Sequence, residues 1–167
     1  MQRLTSSATN VITAITALAW LLAVVTGQSE NAQLALGFVP ARLSGAAVPW
    51  PALPAVLTPL SATLVHAGLI HLGFNLLIFV WCGTAVERVL GKTGLIVLYL
   101  VGAYAAALAQ WASDPMGMVP MVGASGAISA VMGAFALSFG RAKAFTREKR
   151  PILSALPVVM WVAFGVM

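Results

Sequence analysis

The chain has 167 residues, of which 60% are hydrophobic and only 8% charged, with a mean hydropathy of +0.97 and a formal net charge of +5. A soluble core of this size could not hide so much apolar surface from water, which excludes a soluble globular protein and leaves an integral membrane protein as the expectation. The basic excess does not point to nucleic acid either: the run Arg141, Lys143, Arg147, Lys149 and Arg150 lacks interleaved aromatics and has no soluble domain around it.

A hydrocarbon layer roughly 30 Å thick takes about 20 apolar helical residues per crossing. Hydropathy predicts five such helices, over residues 10–27, 58–86, 94–112, 120–139 and 151–167. Arg3 precedes the first, as in a secretory leader, but the stretch ends in Thr26-Gly27-Gln28 without a small-x-small cleavage pattern, so a retained helix is expected. Residues 28–57 form a long connection, with a short amphipathic turn expected around 32–38. Pro49, Pro51 and Pro54 forbid a regular helix at its end, and Trp50 suits the lipid–water boundary.

The second predicted helix carries both histidines of the chain, His66 and His71, together with Asn75 and the single cysteine, Cys82. Cys82 reads as a small buried apolar side chain. Short loops over 88–93 and 113–119 make helices two, three and four antiparallel neighbours. The fourth helix opens on Gly123-Ala124-Ser125-Gly126 after Pro120. The fifth is the weakest, since it contains Pro157 and runs to Met167 without a polar flank, so that the chain is expected to end inside a helix.

Charge sets an orientation. With the amino terminus in the cytoplasm, Arg3, Arg88, Lys92 and the five cations of 141–150 fall on cytoplasmic segments and only Arg42 falls outside, the asymmetry of the positive-inside rule. The run at 141–150 is then a solvated loop beside anionic head groups.

Polar groups inside a bilayer are expensive, so the two polar islands are candidate sites. On a helix, Asn75 stacks about 40° from His71, and the imidazole and amide can project N–H donors toward one point, as an oxyanion hole requires. His66 would lie about one turn nearer the outer surface. At the start of the fourth helix, backbone N–H groups are unpaired and the dipole favours negative charge, so Ser125 could attack a carbonyl while its own N–H stabilises the oxyanion. Gly123 and Gly126 leave room for backbone and substrate. Both islands fall on the outer side. Each also has a plainer reading as interhelical hydrogen bonding or close helix contact. A zinc site is disfavoured, because five-residue spacing sets the two histidines roughly 140° apart on a helix and no Cys or carboxylate is near in sequence. Gly126, Ala130 and Ala134, with Ser129 and Gly133, make a small-residue face on which a further helix is expected to pack.

These residues resemble the rhomboid intramembrane serine proteases. The matching pieces are His66, His71 and Asn75, then Glu87-Arg88-Val89-Leu90-Gly91, then Val122-Gly123-Ala124-Ser125-Gly126-Ala127-Ile128-Ser129; Gly37-Phe38-Val39-Pro40-Ala41-Arg42 also looks like small bacterial members. The resemblance implies an all-α, polytopic transmembrane bundle over 1–167 with five of six core helices present. It implies Ser125 as nucleophile, His71, Asn75 and the Ser125 N–H as oxyanion hole, and His66 in support, with no cofactor and no metal. The partners implied are transmembrane protein substrates and the lipid bilayer, and the place is the bacterial inner membrane. The family's general base is a histidine on the sixth helix, which this sequence does not contain, so the chain is expected to be nearly inert as it stands. A non-catalytic relative that binds transmembrane segments is the alternative.

Overall fold

The computed structural model describes residues 7–140. The basic run 141–150 and the helix expected over 151–167 lie outside the described residues.

Helix α1 (Ala8–Val25) is long and apolar enough to cross a bilayer, and most of its side chains are not buried in the protein. It is anchored at its amino-terminal end by a residue far away in sequence. One Glu87 carboxylate oxygen accepts from Ala8 N–H at 2.8 Å; the other accepts from Thr9 N–H at 2.9 Å and from the Ser7 and Thr9 hydroxyls at 2.7 Å each. Glu87 thus satisfies donors that no carbonyl of α1 can reach, and its charge lies at the positive end of the helix dipole. Its partners are thus the donors of α1, some eighty positions away in sequence. Close by, Gly83 lets α1 approach, since a Cβ there would stand 3.1 Å from the Thr9 methyl.

The connection after α1 folds into α2 (Ser29–Leu36) and α3 (Pro40–Leu43), followed by two single 3-10 turns, Ala55–Leu57 and Ala62–Leu64, on either side of α4 (Thr58–Ser61). The amphipathic turn expected around 32–38 is α2, held by the Trp50 indole N–H donating to Leu34 O at 3.0 Å.

The second predicted helix does not start at 58. Residues 58–64 are short turns, 65–68 are not helical, and the regular helix α5 (Leu69–Ser113) begins only after Gly68, whose φ of −176° is fully extended. Pro59 brings no N–H, while the Thr58 and Thr63 hydroxyls each donate at 2.7 Å to the carbonyl three residues back, Ala55 and Leu60. Such local bonds compete with a continuous helix. Apolar composition alone does not fix the conformation of this segment.

Helix α5 reverses at Gly91, whose φ of 72° and ψ of 173° are not helical. The reversal is proved by Phe79 and Tyr99, whose rings lie 5.3 Å apart although an unbroken helix would separate them by about 30 Å. The arms 69–90 and 92–113 each hold about 22 residues, about 33 Å of helix, one bilayer crossing apiece. A single left-handed glycine therefore replaces the loop expected over 88–93.

Helix α6 (Ser125–Gly140) packs on the second arm. A Cβ on Gly102 would come within 2.7 Å of Ala130 Cβ, and one on Gly126 would overlap Ala106. The part of the small-residue face made by Gly126 and Ala130 is therefore filled by the second arm of α5, not by a further helix. Phe79, Cys82, Val86, Leu95, Tyr99, Ile128 and Val131 form the core between the arms and α6.

Because Glu87 alone serves four donors, Glu87→Ala should lower stability in detergent by on the order of 3 kcal/mol, with Glu87→Gln recovering part of the loss. An unchanged thermal midpoint for Glu87→Ala would show that the α1 anchor contributes little.

Candidate active site

The short ribbon that leads into α6 is held by hydrogen bonds from three directions. Met121 pairs with Phe38 of the connection between α1 and α5 in both senses, Phe38 N–H to Met121 O at 3.0 Å and Met121 N–H to Phe38 O at 2.7 Å. Beside this bridge Gly37 has no room for a side chain, since a Cβ would sit 2.9 Å from Pro120 Cβ and 3.1 Å from Val122 Cγ1. Gly123 N–H donates to Ala62 O at 2.9 Å. Ala124 N–H donates to His66 Nε2 at 3.4 Å.

Gly123 adopts φ +107°, which only glycine takes readily, and that geometry turns the chain into α6. Ser125 is the first residue of the helix, half-buried. The first helical bond is Ile128 N–H to Ala124 O at 2.9 Å, and among the described residues no backbone carbonyl takes the N–H of Ser125, Gly126 or Ala127. These are donors at the positive end of a helix, suited to negative charge on a reacting group.

His71, in the first turn of α5, lies directly against this ribbon. A Cβ added to Gly123 would be 2.7 Å from both Cε1 and Nε2 of its imidazole. The glycine is therefore needed twice, for its backbone angle and for the space the ring occupies. His66 reaches the same place from the non-helical segment before α5, buried, with its ring centroid 5.0 Å from that of His71 at an interplanar angle of 66°. An imidazole that accepts through Nε2 carries its proton on Nδ1. The expected separation of the two histidines by one helical turn is corrected accordingly: His66 is not on the helix, and the rings meet edge to face.

Asn75 is fully buried, one turn below His71. Its amide nitrogen donates to His71 O at 2.8 Å, while Oδ1 and the Nδ1 of His66 are buried without a protein partner. One amide N–H is thus spent along its own helix rather than aimed at Ser125, and one remains. A narrow cavity of about 20 Å³, room for one water, lies beside Ser125, Gly123 and Gly126 and is walled by Pro59, Thr63 and Met121.

Histidine, glycine and serine motifs some fifty residues apart are therefore brought together. Sequence reasoning did not find the parts of Ala62 and Phe38, which act through backbone groups and carry no side-chain signature, or of Thr63, which reads as one more residue of an apolar stretch.

The model of the rhomboid domain matches residues 54–167, well over half of the chain. The chain belongs to the rhomboid family. It is 38% identical over 79 residues to Rhomboid protease GluP of Bacillus subtilis (strain 168), covering 47% of this chain and 14% of that protein. It is 35% identical over 75 residues to Rhomboid-related protein 3 of Homo sapiens, covering 45% of this chain and 18% of that protein. The aligned part thus spans less than a fifth of either relative. The rhomboid match and the apolar helices together make this an all-α integral membrane protein of the rhomboid type.

With two histidines in the chain, selective labelling of histidine gives two ring signals. Gly123→Ala should shift the His71 signal strongly and cost roughly 1–3 kcal/mol of stability, because the new side chain is both strained and in contact with the ring. An unmoved His71 signal would mean that the ring does not rest on Gly123.

Proposed function

We propose that this chain is a rhomboid-type membrane domain, spanning 1–167, of a serine endopeptidase that cuts transmembrane segments of other membrane proteins. The observation that carries the reading is the seat of His71 on Gly123, which sets an imidazole against the turn into the Ser125 helix. In the proposed reaction Ser125 Oγ adds to the scissile carbonyl carbon and gives its proton to a base. The carbonyl oxygen becomes an oxyanion that accepts from the Ser125 backbone N–H, from His71 and from the remaining Asn75 amide N–H. Collapse breaks the C–N bond, the amine leaves with the proton held by the base, and water then hydrolyses the acyl ester. His66 supports the site by fixing Ala124, and Gly123 and Gly126 keep it open.

The base is the missing part. His66 is occupied by Ala124 N–H, His71 is assigned to the oxyanion, and the sequence holds no other histidine. The family resemblance assigns the base to a histidine on a sixth helix, so this sequence alone should turn over at a small fraction of the rate of a form that carries one. Loss of the histidine from a serine protease triad costs on the order of 10⁶ in turnover.

A second reading, a non-cutting relative that binds transmembrane segments, is favoured by the Asn75 amide, which bonds to His71 O instead of facing the nucleophile. Under either reading we place the amino terminus in the cytoplasm and the protein in a bacterial inner membrane. Arg88 and Lys92 lie at the end of the bundle where Glu87 anchors Ser7, whereas Arg42 lies in the connection that pairs with the ribbon before Ser125, matching the charge asymmetry.

The test is cleavage of a transmembrane reporter in proteoliposomes by this chain and by a form carrying any coding sequence downstream of Met167. The longer form should cut, Ser125→Ala should abolish cutting, and Asn75→Ala should lower it by ~10²-fold. Cutting that survives Ser125→Ala would overturn the protease reading. Reporter capture without cutting by both forms would favour the second one.

A further inference from the structure

The end of the bundle remote from Ser125 carries a separate feature that the proteolytic reading does not use. About 20 Å along the first arm from Asn75, the turn at Gly91 and the start of α1 border an open pocket of about 350 Å³ lined by Ser7, Thr84, Glu87, Arg88, Gly91 and Lys92. Glu87 is the acidic member, but both its oxygens are occupied by the Ser7, Ala8 and Thr9 donors at the positive end of α1. Arg88 and Lys92 are exposed, on either side of the left-handed glycine, and neither takes part in the hydrogen bonds that hold Glu87. A guanidinium and an ammonium beside a side-chain-free turn suit a tetrahedral oxyanion, the first as a planar fork and the second as a point charge.

We propose that this pocket binds a phosphate group, with Arg88 and Lys92 as its cationic ligands. The surroundings favour a phospholipid as the source. Val89 and Leu90 are exposed apolar neighbours, and Leu77, Trp81 and Arg88 fall on one face of the arm at helical spacing, with Leu77 66% and Trp81 47% exposed. An acyl chain running along Trp81 and Leu77 would bring its phosphodiester to Arg88. Free phosphate shares the head-group chemistry but gains nothing from that stripe.

The 167-residue chain is reconstituted in phosphatidylcholine vesicles containing a quarter phosphatidylglycerol, extracted gently, and its retained lipids are counted by native mass spectrometry. Inorganic phosphate is separately titrated onto lipid-free chain in detergent and followed by phosphorus NMR. Wild type should retain phosphatidylglycerol over phosphatidylcholine by roughly tenfold or more. Arg88→Gln/Lys92→Gln should reduce this to parity, each single substitution should give an intermediate value, and Arg42→Gln at the opposite end should leave it unchanged. Circular dichroism confirms that each variant is folded, and the single variants carry the test if the double variant is not. Phosphate binding lost in the variants, without phosphatidylglycerol preference, would keep the site but assign it a soluble ligand. Equal retention by wild type and folded variants, with no difference in phosphate binding, would overturn the proposal.

Discussion

The site depends on how the ribbon from Met121 to Ala124 is held. Its backbone donors pair with three separate pieces of chain, Phe38 in the connection after α1, Ala62 in the turns before α5, and the His66 ring. In water such bonds would be nearly neutral exchanges, but Gly123 and Ala124 are buried, where an unpaired N–H costs its full desolvation, so their bonds are close to obligatory. The pairing fixes the direction in which α6 starts. That in turn sets where Ser125 and the free N–H groups stand relative to His71. The connection between α1 and α5 is thus a structural wall of the site, and its prolines and short helices make sense as a scaffold for two backbone contacts.

At the other end the governing contact is electrostatic. Glu87 collects the amino-terminal donors of α1, and the adjacent Gly91 turns the long helix back on itself, so α1 and both arms of α5 are tied within a few residues of one another. Between the two ends the bundle is held by close approach: Gly83 admits α1, while Gly102 and Gly126 bring α6 against the second arm. With lipid as solvent, tight packing of small residues supplies what the hydrophobic effect supplies in water. The polar contacts are concentrated at the two ends, where the chain must change direction.

Much of this was legible in the sequence. Periodicity and hydropathy located α1, both arms of α5 and α6, since about 20 apolar residues in a row have few other uses. The islands around His71 and Ser125 stood out as candidates because polar groups are costly inside apolar, membrane-length stretches. What stayed hidden is non-local or carried by backbone. The helix predicted from residue 58 fails because hydropathy reports depth and not conformation, and Thr58, Pro59 and Thr63 favour turns there. His66 was consequently put on a helix face it does not share. The partnership of Glu87 with α1 joins residues some eighty positions apart, and the Asn75 to His71 O bond competes with the projected donor in a way that only coordinates reveal.

The most direct test of the account is chemical. A fluorophosphonate applied in detergent to the form carrying downstream coding sequence, followed by peptide mapping, identifies which hydroxyl the fold has made reactive. The account predicts one adduct, on Ser125, and a far slower reaction in the 167-residue chain. An adduct on Ser129 or Ser61 in place of Ser125, or equal labelling of both forms, would contradict it: the first would misplace the nucleophile, and the second would mean that the base already lies within these residues.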